Sequence, residues 1–214
     1  MTTTRVKICG VTRTEDAMLA AALGASAIGF VFWPSSPRVI APANARRIAD
    51  ALPPFVSRVG VFVNATAGEV RAIVAQAGLD IAQLHGDESA TDYTGVGARL
   101  MKTVTLEDDD ALERARALPD SVTPLVDAAD RERRGGTGLR ANWDRARRLM
   151  ESRPIVLAGG LSAANVAEAL AHVEPVAIDV SSGVESAPGV KSLERMVALF
   201  DALAAYARGG RSVS

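Results

Sequence analysis

The chain has 214 residues, 48% of them hydrophobic, enough to build one well-cored domain. Its formal net charge of -1 leaves no basic field for a polyanion, which excludes nucleic acid as a partner. A single cysteine and two histidines exclude an intrachain disulfide and supply no metal-ligand spacing.

The first five residues run into a strand-like segment, so no signal peptide is expected, and no apolar run reaches membrane length. A cytoplasmic protein with no membrane and no obligatory protein partner is the expectation. The predicted elements alternate from there. Strand 6–9, V-K-I-C, precedes a helix over 14–23 in which Thr14 is a cap candidate, Glu15 and Asp16 fill the first turn and Gly24 ends it. Strand 27–32 leads to helix 42–52, strand 58–63 to helix 67–77 with Gly78 beyond it, and strand 81–84 to a weak helix over 88–93. Strand 100–104 precedes helix 107–118, and strand 124–127 precedes helix 142–151 with Asn142 at its cap. Strand 155–158 precedes helix 163–172 with Ser162 as a cap candidate, and strand 176–180 precedes helix 192–208. Residues 209–214 read as a frayed tail, which leaves 1–208 as one domain.

The strands are near-continuous in Val, Ile, Leu and Ala, as parallel strands buried on both faces must be. Eight strand–helix units without a linker point to a single (β/α)8 TIM barrel with a parallel eight-stranded sheet. A doubly wound open sheet competes, but it usually carries fewer strands and a G-x-G-x-x-G turn that is absent here.

A barrel gathers its chemistry at the C-terminal ends of its strands. Cys9, His85, Asp127, Gly159-Gly160 and Ser181-Ser182-Gly183 all fall there. The glycine-rich turns after strands seven and eight fit a phosphate site, because glycine lets backbone N–H groups approach an anion and a helix N-terminus adds its dipole. The G-G-T-G at 135–138 could add donors or form a lid. Cys9 reads either as a small buried hydrophobe or as a base beside Gly10, with Lys7 two residues earlier on the same face to favour a thiolate. Asp127, across the mouth, would complete an acid–base pair, although a loop cap is the plainer role for an aspartate. Asp179 falls mid-strand and needs a cation, for which Lys7 on the neighbouring strand is available. Arg38, held among prolines, has the planar fork that suits a carboxylate. His85 serves equally as a ligand contact or as a satisfied hydrogen-bonding group, and His172 suits its helix end.

K-I-C-G-V-T-R-T-E-D-A, G-F-V-F-W-P-S-S-P-R, V-G-V-F-V-N, Q-L-H-G-D-E, L-V-D-A, G-G-T-G, L-A-G-G-L-S-A-A-N-V and D-V-S-S-G-V-E-S-A-P-G-V-K occur in this order from Lys7 to Lys191. Together they resemble the phosphoribosylanthranilate isomerase (TrpF) family of tryptophan biosynthesis. The resemblance implies an Amadori rearrangement of N-(5-phosphoribosyl)anthranilate to 1-(2-carboxyphenylamino)-1-deoxyribulose 5-phosphate, with no metal and no organic cofactor. It implies Cys9 as general base, Asp127 as general acid, Arg38 near the anthranilate carboxylate, and the glycines after strands seven and eight on the phosphate. His85, Asp179 and the Gly159, Gly160, Ser181, Ser182 and Gly183 loops are expected to contact this small phosphorylated substrate, with Lys7 in support. Partial burial is expected to keep Asp127 neutral and Lys7 to keep Cys9 charged. One departure is Ala141, where the resemblance implies an aromatic residue. Two rivals remain: a neighbouring phosphate barrel such as indole-glycerol-phosphate synthase, with Lys102 as its lysine, and a silent barrel that binds a phosphorylated ligand or a partner protein.

Overall fold

The computed structural model describes residues 4–127 and 142–209. Eight parallel strands close on themselves in chain order: β1 (Arg5–Ile8), β2 (Ala27–Val31), β3 (Ser57–Phe62), β4 (Ile81–Leu84), β5 (Arg99–Thr105), β6 (Val122–Asp127), β7 (Val156–Leu157) and β8 (Ala177–Val180). The ring is sealed by β8 on β1, with Lys7 opposite Asp179. Helices α1 (Thr14–Leu23), α2 (Pro42–Ala51), α3 (Ala67–Ala77), α4 (Asp109–Arg116), α5 (Trp143–Met150), α6 (Val166–Val173) and α7 (Leu193–Gly209) follow the strands. Among the described residues no helix is long and apolar enough to cross a membrane.

Alternation along each strand sorts the chain into two cores. Ile8, Ile28, Phe30, Phe62, Leu84, Val126, Leu157 and Ile178 face outward into the helix layer and are almost fully buried there. Each such side chain contributes roughly 1.5–3 kcal/mol by leaving water. The opposite parity fills the barrel. Met101, Leu125, Val156 and Ala158 form one interior cluster, while Cys9, Val31 and Val61 form another beneath Trp33. Lys7, Gln83, Thr103, Asp127 and Asp179 share that interior parity, so the inside of the barrel becomes polar toward its mouth.

Several boundaries differ from the sequence expectation. Thr14 is the first helical residue, and Arg13 occupies the cap position with no side-chain bond. The expected helix over 88–93 is only a 3-10 turn at Ala90–Tyr93. Glu88 is the cause: its carboxylate accepts from the backbone N–H of Asn64 at 2.5 Å and of Gly86 at 2.7 Å, which holds the chain in a loop. Helix α6 starts at Val166 rather than at 163, because the Asn165 side chain folds back onto the preceding loop instead of the helix. An unpredicted antiparallel hairpin, β9 (Glu185–Ala187) and β10 (Val190–Lys191), lies between β8 and α7. Helix α7 takes in Gly209, expected in the tail; residues 210–214, the 135–138 loop and Ala141 lie outside the described residues.

Arg153 staples the base of the barrel. Nη1 donates to the carbonyls of Arg116 (3.2 Å) and Leu118 (2.6 Å), and Nη2 to those of Pro119 (3.0 Å) and Val122 (2.8 Å). The entry to β6 is thereby tied to the entry to β7. Arg153→Met is expected to keep the aliphatic packing yet destabilise the fold by about 2–3 kcal/mol, since hydrogen bonds from a charged donor are lost at once. Urea unfolding measures this; turnover at saturating substrate should stay at the wild-type level, because Arg153 lies at the opposite end from the strand C-termini.

Candidate active site

Cys9 follows β1 with 9% of its surface exposed, and its backbone is pinned from two sides. Its N–H donates to the Val180 carbonyl at 2.9 Å, and its carbonyl accepts from Ser181 Oγ at 3.2 Å and Lys191 Nζ at 2.5 Å. Below it, Lys7 Nζ and Asp179 Oδ2 form an ion pair at 2.7 Å with both side chains nearly inaccessible. The second carboxylate oxygen, Oδ1, is buried with no hydrogen-bond partner among the described residues.

Burial pushes the Lys7 ammonium down, but Asp179 and Cys9 outweigh it and hold Lys7 above its usual range. For Cys9, burial and the Asp179 charge push the thiol up and exceed the opposing effects of Lys7 and Lys191. The expectation that Lys7 would leave Cys9 charged therefore does not hold in the free protein. Lys7 has a carboxylate partner of its own, and that carboxylate also acts on the sulfur. Titrating the thiolate absorbance, as wild type minus Cys9→Ser, is expected to place the midpoint above the ordinary thiol range. A midpoint near neutrality would contradict this field.

Asp127 ends β6, three strands from β1 by way of β8 and β7, and next to the diametrically opposite β5. His85, just past β4, turns Nε2 toward Asp127 Oδ2 at 3.7 Å, beyond hydrogen-bond length but within reach of its charge. The other ring nitrogen lies 3.1 Å from Gln83 Nε2 and 2.9 Å from Thr103 Oγ1. With the amide so oriented, Gln83 donates to Nδ1 and leaves the proton on Nε2, facing Asp127. Thr103 lies in no motif, and Gln83 opens the Q-L-H-G-D-E block without an assigned role, yet their parity inside the barrel marks both.

The two glycine-rich loops meet above β7 and β8. Gly159 and Gly160 both have positive φ, and Asn165 Nδ2 donates to the Gly160 carbonyl at 2.9 Å. Ser181 leads into a 3-10 turn at Ser182–Val184. A Cβ on Gly183 would come within 2.0 Å of the Leu161 carbonyl oxygen, so only glycine lets these loops touch. Arg38, after β2, reaches the same rim, where Glu185 holds its guanidinium through Nε at 3.0 Å and Nη2 at 2.6 Å. Lys102 leaves the opposite face of β5 from Met101 and Thr103, and its Nζ donates to the Gly86 carbonyl at 2.6 Å. It does not enter the barrel, so a mechanism built on a lysine at the mouth has no support from this residue.

Free thiol, buried ion pair, acid-bearing rim and touching glycine loops thus converge on one end of a closed barrel. A family model described as "N-(5'phosphoribosyl)anthranilate (PRA) isomerase" matches residues 6–202. The chain belongs to the phosphoribosylanthranilate isomerase family. The N-(5'-phosphoribosyl)anthranilate isomerase of Geotalea uraniireducens is 48% identical over 188 residues, covering 88% of this chain and 92% of the relative. The crystal structure of phosphoribosyl anthranilate isomerase from Thermus thermophilus shares 45% identity and superposes with a TM-score of 0.85, covering 94% of this chain and 98% of the other. A further phosphoribosyl anthranilate isomerase structure was solved with reduced 1-(o-carboxyphenylamino)-1-deoxyribulose 5-phosphate. It is 36% identical with a TM-score of 0.84, over 94% of this chain and 99% of that one.

Proposed function

We propose that this barrel isomerises N-(5'-phosphoribosyl)anthranilate in tryptophan biosynthesis, with Cys9 as general base and Asp127 as general acid. The activity follows from the family and its relatives. The observation that carries the division of labour is the placement of both groups inside one mouth, on well-separated strands. A sugar ring lying between them meets an acid on one side and a base on the other.

Asp127 delivers a proton to the ring oxygen, the C1′–O bond breaks, and the anilino nitrogen's lone pair makes the iminium. The Cys9 thiolate then removes the C2′ proton. The C2′–H electrons form the C1′=C2′ bond while the iminium π pair returns to nitrogen, and the enolamine tautomerises to the ketone. The iminium itself is the electron sink. In the free protein the thiol keeps its proton to higher pH than usual, so the working thiolate is a pH-dependent fraction. The positive iminium beside the sulfur stabilises that thiolate at the moment it is needed.

The remaining contacts follow the mouth's geometry. Asp179, whose Oδ1 has no hydrogen-bond partner among the described residues, is assigned to the ribose side of the substrate, His85 adjoins Asp127, and Arg38 takes the anthranilate carboxylate. Gly159, Gly160, Ser181, Ser182 and Gly183 hold the phosphate, with the N-terminus of α6 adding its dipole. Lys7 supports the site by holding Asp179. A cytoplasmic location is supported by the lone free thiol. The direct test follows the fluorescence of freshly generated phosphoribosylanthranilate. Rapid conversion by wild type supports the reading, and no turnover from folded protein would overturn it.

A further inference from the structure

Glu185 sits on β9 of the hairpin that periodicity does not reveal, buried to 4% exposure between two cations. Its Oε1 accepts from Arg38 Nε at 3.0 Å, from Lys191 Nζ at 2.7 Å and from the Gly189 N–H at 3.2 Å. Its Oε2 accepts from Arg38 Nε at 3.1 Å and from Arg38 Nη2 at 2.6 Å. The carboxylate is thus saturated. Arg38 is not: its Nη1 donates to none of the described residues. Two cations around one carboxylate also leave a single surplus positive charge at the rim. The aliphatic stem of Arg38 lies over Gly10, where an added Cβ would come within 2.5 Å of its Cδ, so the stem has a fixed bed beside Cys9. Lys191 ties this cluster to the Cys9 carbonyl.

We propose that Glu185 is a positioning residue for carboxylate recognition: it grips the Nε–Nη2 edge of Arg38 so that the free edge, with Nη1, is presented at the mouth for the aryl carboxylate of the substrate. This rests on the functional reading above. Arginine offers five N–H donors in a rigid fork, and satisfying one edge internally leaves the other planar and aimed. An arginine held this way loses little further side-chain freedom when a carboxylate docks, and it is this fixed aim, not the amount of positive charge, that Glu185→Gln removes. Glu185 touches no reacting atom. Burial opposes its ionisation, but Arg38 and Lys191 overcome that and hold its carboxyl below the usual carboxylate range, so the grip persists across neutral pH.

Calorimetric binding of two stable ligands tests the assignment: reduced 1-(o-carboxyphenylamino)-1-deoxyribulose 5-phosphate and its counterpart without the carboxylate. Glu185→Gln is expected to weaken the carboxylated ligand roughly tenfold while changing the other less than twofold. In turnover, KM should rise with little change in kcat, and Glu185→Asp should recover part of the loss by restoring the charge. Equal weakening of both ligands, or no weakening of either, overturns the proposal. Failure of wild type to bind either ligand overturns the functional reading along with it. If Glu185→Gln does not fold, the guanidinium NMR signals of wild type decide, assigned by their absence in Arg38→Lys. The Arg38 Nε–H signal should stay protected from exchange with either ligand, and the Nη signals should shift only with the carboxylated one. Loss of Nε–H protection on binding would mean that Arg38 leaves Glu185, which overturns the proposal.

Discussion

Cys9→Ala is expected to lower kcat by roughly 10²–10⁴-fold, the range lost when a general base is removed. That corresponds to about 3–5 kcal/mol of transition-state stabilisation. The fold should survive, because the substitution removes one buried sulfur, for which about 1 kcal/mol is the expected cost. In a chain of this size that shifts the melting temperature by roughly 2–4 °C. KM should change little, since the phosphate loops and Arg38 are untouched. Cys9→Ser separates a base from a hydrogen-bonding spacer. A serine hydroxyl keeps the polar contact but yields no useful alkoxide under the assay conditions, so it should fail as alanine does. A loss below tenfold in both variants would remove Cys9 from the chemistry.

The wild-type pH profile carries a second consequence of the same site. Burial and Asp179 raise the Cys9 thiol in the folded chain relative to the unfolded one. A group whose folded pKa is raised holds its proton more tightly when folded. Its stabilising contribution is therefore full below the unfolded thiol's range and is lost as pH climbs through the folded one. Catalysis runs the other way, since the thiolate fraction grows with pH. Wild type is thus expected to gain thiolate over an alkaline interval in which it loses stability, and Cys9→Ser should lack that loss in urea titrations.

Barrel closure, strand positions and interior parity could all be read from residues alone, because strands buried on both faces admit almost nothing but Val, Ile, Leu and Ala. An exception inside such a strand, such as Lys7 or Asp179, then stands out and demands a partner. The hairpin at 185–191 could not be read this way. Its two short strands have no alternating apolar face, and Glu185, Lys191 and Arg38 give it polar anchorage instead. The loop after β4 reads as helix because Glu88 is a good helix former, but its carboxylate accepts from the backbone N–H of Asn64, after β3, and of Gly86, two residues earlier in the same loop. The sign of the Cys9 shift was also out of reach. Lys7 is near in sequence, whereas the opposing Asp179 arrives only when β8 closes onto β1, and burial is a property of the finished barrel.

Asp127→Asn is expected to reduce kcat by a further roughly 10²–10⁴-fold range of its own, with near-wild-type stability because the side chain keeps its size. What distinguishes it from Cys9→Ala is the step that fails. Without the carboxyl proton the ring C–O bond stays closed, so the barrier rises before the C2′ proton is ever in play. Without the thiolate the iminium forms and waits. Substrate deuterated at C2′ reads the difference. Cys9→Ala should show a full primary isotope effect on kcat, because C–H cleavage has become limiting. Asp127→Asn should show almost none, because ring opening limits the rate. Equal isotope effects in the two variants would mean that acid and base act in one concerted step, or that Asp127 is not the acid. His85 then becomes the next group to replace, because its Nε2 faces Asp127 Oδ2 at 3.7 Å.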